Sequence, residues 1–399
     1  MNAHLARLFS IAQKKTRTIV GLMSGTSLDG LDVALCRITG SGGQTRVALT
    51  HFETVAYTPE IKDNIRQVFA KSTVDFQFLT VLNPWIGTLH GQMVLDCLNR
   101  WDVPAATVDL IASHGQTVLH APKILHGRAG FPNATLQLGD GDHVAVTTGI
   151  ITLSDFRQKH VAAGGEGAPL AVYGDYFIFS KPGKNRLMLN LGGIANFTYL
   201  PGTLDASAVF TTDTGPGNTL LDAFTRYFFP DLSFDRDGAL ARAGTVNEPL
   251  LQALKADPFF SQPFPKTTGP ELFNVAYVQW AQTNTATETL RPPDLLATLV
   301  RFSAETIAEA LRQVMRADTP YHVYLSGGGA HNPALTEALE TALPGVTFGR
   351  TDELGIAGDA KEAVLFAILA NEAVAGGTTH FGARAGVPSV TMGKISLPG

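Results

Sequence analysis

Residues 19–38 read IVGLMSGTSLDGLDVALCRI: an apolar run, a turn crowded with Gly, Ser, Thr and Asp, and a second apolar run. Ile19, Val20 and Leu22 lead into the turn and Val33, Leu35 and Ile38 lead out, which predicts strand, tight turn, strand. Taken alone, such a turn has two uses. It can be a hairpin closed by Asx and Ser/Thr turns. It can also wrap backbone N–H groups around a polyphosphate while carboxylates hold Mg2+. In the second use Gly25 lets the backbone approach closely, and Ser24, Thr26 and Ser27 donate to oxygens. Asp29 and Asp32 then reach a metal, directly or through water.

The device recurs, which favours the phosphate. Residues 186–200, RLMLNLGGIANFTYL, again place a Gly192-Gly193 turn between apolar strands. Residues 322–339, HVYLSGGGAHNPALTEAL, run a strand through Gly327, Gly328 and Gly329 into a helix with Asn332 as N-cap and Pro333 at N1. No GxxxxGK[ST] is present and no GxGxxG opens a helix after a strand, so both common nucleotide fingerprints are missing. DTGPGN, residues 213–218, follows Val209 and Phe210 and precedes a helix with Leu221, Phe224 and Phe228 on one face. Asp213, at a strand end facing a glycine-rich helix start, is placed for a general base or a metal ligand; the plainer reading is a turn residue.

Outside these turns, Leu82, Ile86, Leu89 and Met93 fall at helical spacing. VDLIASHGQT predicts a buried strand over 108–112 ending in a polar turn, and GIITLSDF another short strand ending in acid. Strands alternating with helices predict an α/β chain, and 399 residues predict two domains at roughly 100–200 residues each. With no low-complexity linker, the boundary is expected at a hinge near 148–154. Residues 1–150 with about 376–399 would form one domain and 151–375 the other, two similar halves facing a cleft.

Hydrophobic residues make up 45% of the chain and charged ones 16%, enough for two large cores. A net charge of -5 argues against nucleic acid or an anionic membrane as partner, so any attraction for an anion must be local. Two cysteines, Cys36 and Cys97, exclude a cysteine-rich zinc site and fit a reducing compartment. No stretch approaches a transmembrane helix. The opening MNAHLARLFSIAQKK has an apolar stretch, 8–12, too short for a secretory signal, and Lys14, Lys15 and Arg17 follow at once. It reads as a surface extension of a cytoplasmic protein.

In chain order the segments GLMSGTSLDGLD, IASHGQTVLH, LQLGD, TLSDFR, GGEGAPL, LNLGGIANFTYL, DTGPGNTLLDA, FDRDG, PKTTG, LSGGGAHNPAL and GIAGDAKEAVLFA resemble the 1,6-anhydro-N-acetylmuramic acid kinase family, of the actin-like/Hsp70/sugar-kinase superfamily. The resemblance implies two actin-like (ribonuclease H-like) α/β domains facing a central cleft. It implies a cytoplasmic enzyme, commonly a homodimer, that uses ATP and water to open an anhydrosugar and phosphorylate O6 during recycling of cell-wall peptidoglycan sugars. Gly25, Thr26, Ser27, Leu28, Asp29, Gly30, Leu31 and Asp32 match its ATP-binding segment, with Asp29 as the candidate Mg2+ ligand. Gly327, Gly328 and Gly329 match its turn on the nucleotide side, and Gly192 and Gly193 are assigned there too. Asp213 matches its catalytic aspartate.

Ser24, His114, Gln116, Asp155, Arg157 and Glu362 are the candidate sugar-binding residues. Asp155 and Arg157 leave one strand end together, suited to sugar hydroxyls and a lactyl carboxylate or to a solvated salt bridge. Glu362 either contacts sugar or completes an Asp359-based capping box. Lys159 and His160 read as surface residues, and Asp235 and Asp237 as a loop turn. Departures from the family pattern are Glu166, Pro270, an insertion over 123–133, and Thr391-Met392-Gly393. Two alternatives stay open: a kinase of another 1,6-anhydrosugar such as levoglucosan, and an actin-like ATP-binding switch without sugar chemistry.

Overall fold

The computed structural model describes residues 2–168, 170–356, 358–382 and 387–399. Pro169 of GGEGAPL and Ala357 of GIAGDAKEAVLFA lie outside the described residues. The chain divides into two compact units, Met1–Phe179 with Gly355–Gly399, and Ser180–Leu354.

The first unit opens with α1 (Ala3–Gln13) and three strands, β1 (Thr16–Ser24), β2 (Gly30–Thr39) and β3 (Arg46–Ala56). Helices α2 (Pro59–Arg66) and α3 (Phe76–Arg100) lead to β4 (Leu110–Ala121), α4 (Lys123–His126) and β5 (Ala134–Leu138). Then come α5 (Gly141–Thr148), β6 (Thr152–Ser154), α6 (Phe156–Ala162) and α7 (Ala171–Phe179). The second unit contains β7 (Asn185–Leu191), β8 (Ile194–Leu200), β9 (Phe210–Pro216), α8 (Thr219–Phe228), α9 (Ala239–Arg242) and α10 (Glu248–Lys255). It continues with α11 (Val275–Thr285), α12 (Pro292–Arg312), β10 (Tyr321–Ser326), α13 (Pro333–Ala342) and β11 (Thr347–Arg350). The chain returns to the first unit as α14 (Lys361–Ala375) and β12 (Lys394–Ser396).

The two sheets repeat one plan. The first runs β3-β2-β1-β4-β6-β12, with β5 paired to β4, and the second runs β9-β8-β7-β10-β11. In each, three consecutive antiparallel strands come first, and two strands parallel to the first of them then extend the sheet. The repetition read from the glycine turns is therefore a repetition of topology. In open α/β sheets ligands bind beyond the carboxyl ends of the parallel strands. Here those ends carry Ser24, the 114–116 segment and Asp155 in the first unit, and the two glycine turns in the second.

Several expectations need correction. The hinge expected at 148–154 falls on β6, which pairs with β4 inside the first sheet, so the chain leaves this unit only after Phe179. It returns at Gly355 rather than near 376, because α14 packs directly on β1. The opening segment is a surface helix, α1, anchored by Ile11, which is 2% exposed, and by Arg7 Nη2, which donates to Val108 O at 3.2 Å. The expected polar turn at 113–117 is instead the continuation of β4, which runs to Ala121 through Gly115 at φ +76°.

Other elements follow the sequence patterns. Helix α3 covers the 3.6-period stripe and is capped by Asp75, whose carboxylate accepts from the Phe78 N–H at 2.9 Å. Asn332 caps α13 through the Ala334 and Leu335 N–H groups. The central strand β1 is buried on both faces, which is why it reads TRTIVGLMS with little alternation. Among the described residues no helix is long and apolar enough to cross a membrane.

Candidate active site

The turn after β1 is built from beneath. Parallel register sets Gln116 beside Ser24, and Ser24 Oγ donates to Gln116 Oε1 at 2.5 Å. Ser24 Oγ also bonds Tyr57 Oη at 2.8 Å, and Tyr57 Oη bonds His90 Nε2 at 2.7 Å. The Gln116 amide donates to Gly25 O at 3.2 Å. Ser24 and Gln116 are both 0% exposed, and these bonds fasten the turn, with Ser24 at the wall of the cavity beside it. Of the segment expected to hold ATP, Thr26, Ser27 and Asp29 are exposed, with Gly25 half-buried beside them. Leu28, Gly30 and Leu31 face inward; Leu28 takes φ +59°, and a Cβ on Gly30 would lie 2.4 Å from Val55 O. Asp32 accepts from Thr54 Oγ1 at 2.6 Å; burial, opposed by that bond and aided by Asp359 and Asp29, raises its pKa.

Gly25, Thr26 and Ser27 line a cavity of about 450 Å3 together with His120, Arg157 and Glu362. Arg157, on α6, is held from two sides: Nε donates to His114 Nε2 at 2.7 Å and Nη1 to Gly167 O at 2.8 Å. Glu362 reaches the same cavity from the first turn of α14. The capping alternative for it is not realised, since Ala360 occupies the N-cap and no side chain caps that helix. Its carboxylate is open to solvent but crowded by protein. The crowding raises its pKa, while Arg157 and Lys361 pull it down.

His114 and Asp155 line a different cavity from the one that Arg157 and Glu362 reach. His114 is 2% exposed, and its ring lies 4.7 Å from that of Phe366. Burial, then the Arg157 charge, pushes its pKa well below the usual histidine value. Asp155 adopts φ +57° and pairs with Lys394 of β12. It lines a separate cavity of about 330 Å3 with Asp140, Asp142 and Ser396. The expected partnership of Asp155 with Arg157 is therefore absent. His160, expected at the surface, is 0% exposed, and its Nδ1 accepts from the Gly167 N–H at 3.0 Å.

In the second unit the three glycine-bearing motifs meet at one sheet end. Gly192 O accepts from the Asn218 N–H at 2.9 Å, Gly193 O from the Gly217 N–H at 2.8 Å, and Asn218 Nδ2 donates to Leu191 O at 3.0 Å. Gly327 sits at φ +79°, where a Cβ would lie 2.5 Å from Asn190 Oδ1. A Cβ on Gly328 would meet only Asn218 Nδ2, at 3.9 Å, and Gly328 lines a cavity of about 610 Å3 with Asn218, Asp222, Phe234, Arg236 and His331. Phe234, Arg236 and His331 carry little local signal, because two loops distant in sequence bring them together. Asp235 caps α9 through the Leu240 and Ala241 N–H groups, in keeping with a structural loop residue.

Asp213 lies within β9, opposite Asn196, rather than at the strand end. Its Oδ2 accepts from the Thr268 N–H at 2.9 Å, and its own N–H donates to Lys266 O at 3.0 Å. Burial raises its pKa, the Thr268 bond opposes that, and Glu271 adds to it. Lys266 gives Asp213 no counter-charge: its Nζ donates to Phe259 O and lies 4.4 Å from the Phe259 ring centroid. PKTTG was visible as a motif, but its support of Asp213 was not, since 55 residues separate Thr268 from its partner. Among the described residues, no three His, Cys, Asp or Glu side chains converge on a metal position.

The buried histidines give a pH prediction. Burial pulls His90 and His160 down from 6.5 to about 4, and both are 0% exposed. A group depressed on folding binds more protons when unfolded, so its stabilisation is complete above pH 6.5 and is lost as pH falls towards 4. For His90 the difference is on the order of 3 kcal/mol. The raised carboxylates act in the opposite sense. The denaturant midpoint is expected to fall between pH 7 and pH 4.5; a flat profile would contradict neutral buried rings.

Two α/β units of one topology, with glycine turns at the parallel strand ends and a half-buried carboxylate on β9, define an α/β protein of two like-built units. The family model described as anhydro-N-acetylmuramic acid kinase matches residues 17–395. The chain is 56% identical over 400 residues to the anhydro-N-acetylmuramic acid kinase of Pseudoalteromonas atlantica, covering 100% of both chains. It is 52% identical to that of Pseudoalteromonas translucida, again over 100% of both. To that of Caldanaerobacter subterraneus it is 37% identical, covering 98% of this chain and 100% of the relative. The chain belongs to the anhydro-N-acetylmuramic acid kinase family.

Proposed function

We propose that this protein is an ATP-dependent kinase that hydrolytically opens 1,6-anhydro-N-acetylmuramic acid and phosphorylates O6, giving N-acetylmuramic acid 6-phosphate for re-use of peptidoglycan sugars. Asp213 carries the reading. It is a carboxylate with one oxygen held by Thr268 and a pKa raised by burial, and the charge bearing on it is another acid. A base of that kind suits removal of a proton from water.

Water attacks C1 and gives its proton to Asp213. The C1–O6 bond breaks, O6 takes the electron pair and attacks the γ-phosphorus of ATP, and ADP leaves. Phosphoryl transfer asks mainly for positioning and neutralised charge. In the first unit we assign Gly25, Thr26 and Ser27 to phosphate binding and Arg157 and Glu362 to the sugar; in the second we assign Gly327, Gly328 and Gly329, with the cavity beside Gly328, to nucleotide binding. Ser24, Gln116 and His114 support these groups from behind. Mg2+ would arrive with the nucleotide and neutralise its phosphates, with Asp29 and Asp32 the acids of the β1–β2 turn able to hold its water shell. A cytoplasmic homodimer is part of the same reading, and light scattering on the purified protein would test the dimer.

Coupled ADP release, with 1,6-anhydro-N-acetylmuramic acid, levoglucosan or no sugar, tests the function. Release is expected to depend on the muramic acid derivative and to yield a 6-phosphate by mass spectrometry. ADP release untouched by any anhydrosugar would point instead to an ATP-binding switch.

A further inference from the structure

The contacts of Arg157 are unusual for a cation in a substrate cavity. Its Nε and Nη1 are spent on two neutral acceptors, the His114 ring and a backbone carbonyl. Among the described residues it has no ion-pair partner; Glu362 acts on it from beyond pairing distance. The acceptor on His114 is fixed by chemistry. The Gly115 carbonyl, 2.8 Å from Nδ1, can only accept, so Nδ1 carries the proton, and Nε2 is left with the lone pair that Arg157 Nε requires. Gly115 can place that carbonyl because it occupies φ +76°, where a Cβ would stand 2.5 Å from Leu138 O. Phe366 covers the ring at 4.7 Å. Burial and the neighbouring Arg157 both disfavour a charged His114. The remaining charges facing the cavity are Glu362 and, when protonated, His120, which burial and Arg157 hold towards neutrality.

We infer that His114 is a positioning residue for substrate selection: as a neutral acceptor it aims the outer edge of Arg157 into the cavity without cancelling its charge, so that the site selects an anhydrosugar bearing a carboxylate over a neutral one. A carboxylate in the place of His114 would hold Arg157 as firmly but would neutralise it. The inference rests on the function proposed above and adds a means of discrimination to it.

The test compares 1,6-anhydro-N-acetylmuramic acid with its methyl ester, the same sugar with the charge removed, using calorimetric Kd and kcat/KM on the full chain. The wild type is expected to favour the acid by roughly 10–100-fold, the range of a charge-assisted hydrogen bond. His114→Leu should shrink that ratio to within about threefold, mainly through KM and with ATP affinity unmoved. His114→Gln, whose amide oxygen can stand near the Nε2 position, should restore most of it. Arg157→Lys keeps a charge but loses the Nε donor, and should lose the ratio as well. If His114→Leu does not fold, His114→Gln decides the matter. An unchanged ratio, a Gln variant as poor as Leu, or an effect on ATP instead of sugar would overturn the inference. A wild type that neither binds nor phosphorylates the acid would instead overturn the function.

Discussion

Asp213→Asn is expected to lower kcat by roughly 10²–10⁴-fold, the usual contribution of a positioned general base, and to leave nucleotide affinity within about twofold. The substitution is nearly isosteric, and the new side-chain oxygen can still accept from the Thr268 N–H that now meets Oδ2 at 2.9 Å. The loss should therefore come from chemistry rather than from the fold, and a thermal melt close to wild type would establish that. The pH profile gives a second readout. A base acts only when ionised, and burial places the pKa of Asp213 above the ordinary 3.8. The acid limb of kcat/KM should therefore have its midpoint above that of an unperturbed aspartate and should vanish in the variant. Ordinary turnover by the Asn enzyme would remove Asp213 from the mechanism.

The second large effect concerns a glycine in the core. A Cβ on Gly21 would lie 1.9 Å from Ala363 O and 2.8 Å from its carbonyl carbon. Both obstacles are helix backbone and cannot rotate away, so β1 and α14 must separate. Overpacking of this kind costs about 1–3 kcal/mol and sometimes more. Gly21→Ala should lower the denaturant midpoint by a corresponding amount and also weaken sugar binding, because Glu362 adjoins Ala363 on the displaced helix. Gly377→Ala is the matched control, with nothing within 4 Å of the added carbon and an expected change within about 0.5 kcal/mol. Equal stability of the two variants would show that α14 tolerates the shift.

Elements that local sequence determines lie where their spacing predicts. The β1–β2 and β7–β8 hairpins, the α3 stripe and the Asn332 cap each depend on neighbours a few residues apart. The site was less legible, because side-chain orientation depends on distant partners. His114, Gln116 and Ser24 are polar and lie beside the cavity, yet register across β1 and β4 turns them under the turn. Asp155 and Arg157 are two residues apart, and the left-handed backbone of Asp155 accompanies its pairing with Lys394 on the last strand. The same long reach hid Thr268 behind Asp213. The domain boundary was misplaced for a related reason: nothing within 148–154 says that β6 will pair with β4.

The late return of α14 and β12 to the first unit has a consequence for biogenesis. The second unit, Ser180–Leu354, is contiguous and emerges from the ribosome before the helix that covers β1 does. During synthesis it can fold while the earlier unit still waits with one face of β1 bare, so the later-made half matures first. This inverts the usual amino-to-carboxyl sequence of events. A nascent chain arrested with residue 354 just outside the exit tunnel and α14 still within it should be protease-resistant over 180–354 and sensitive over 1–179.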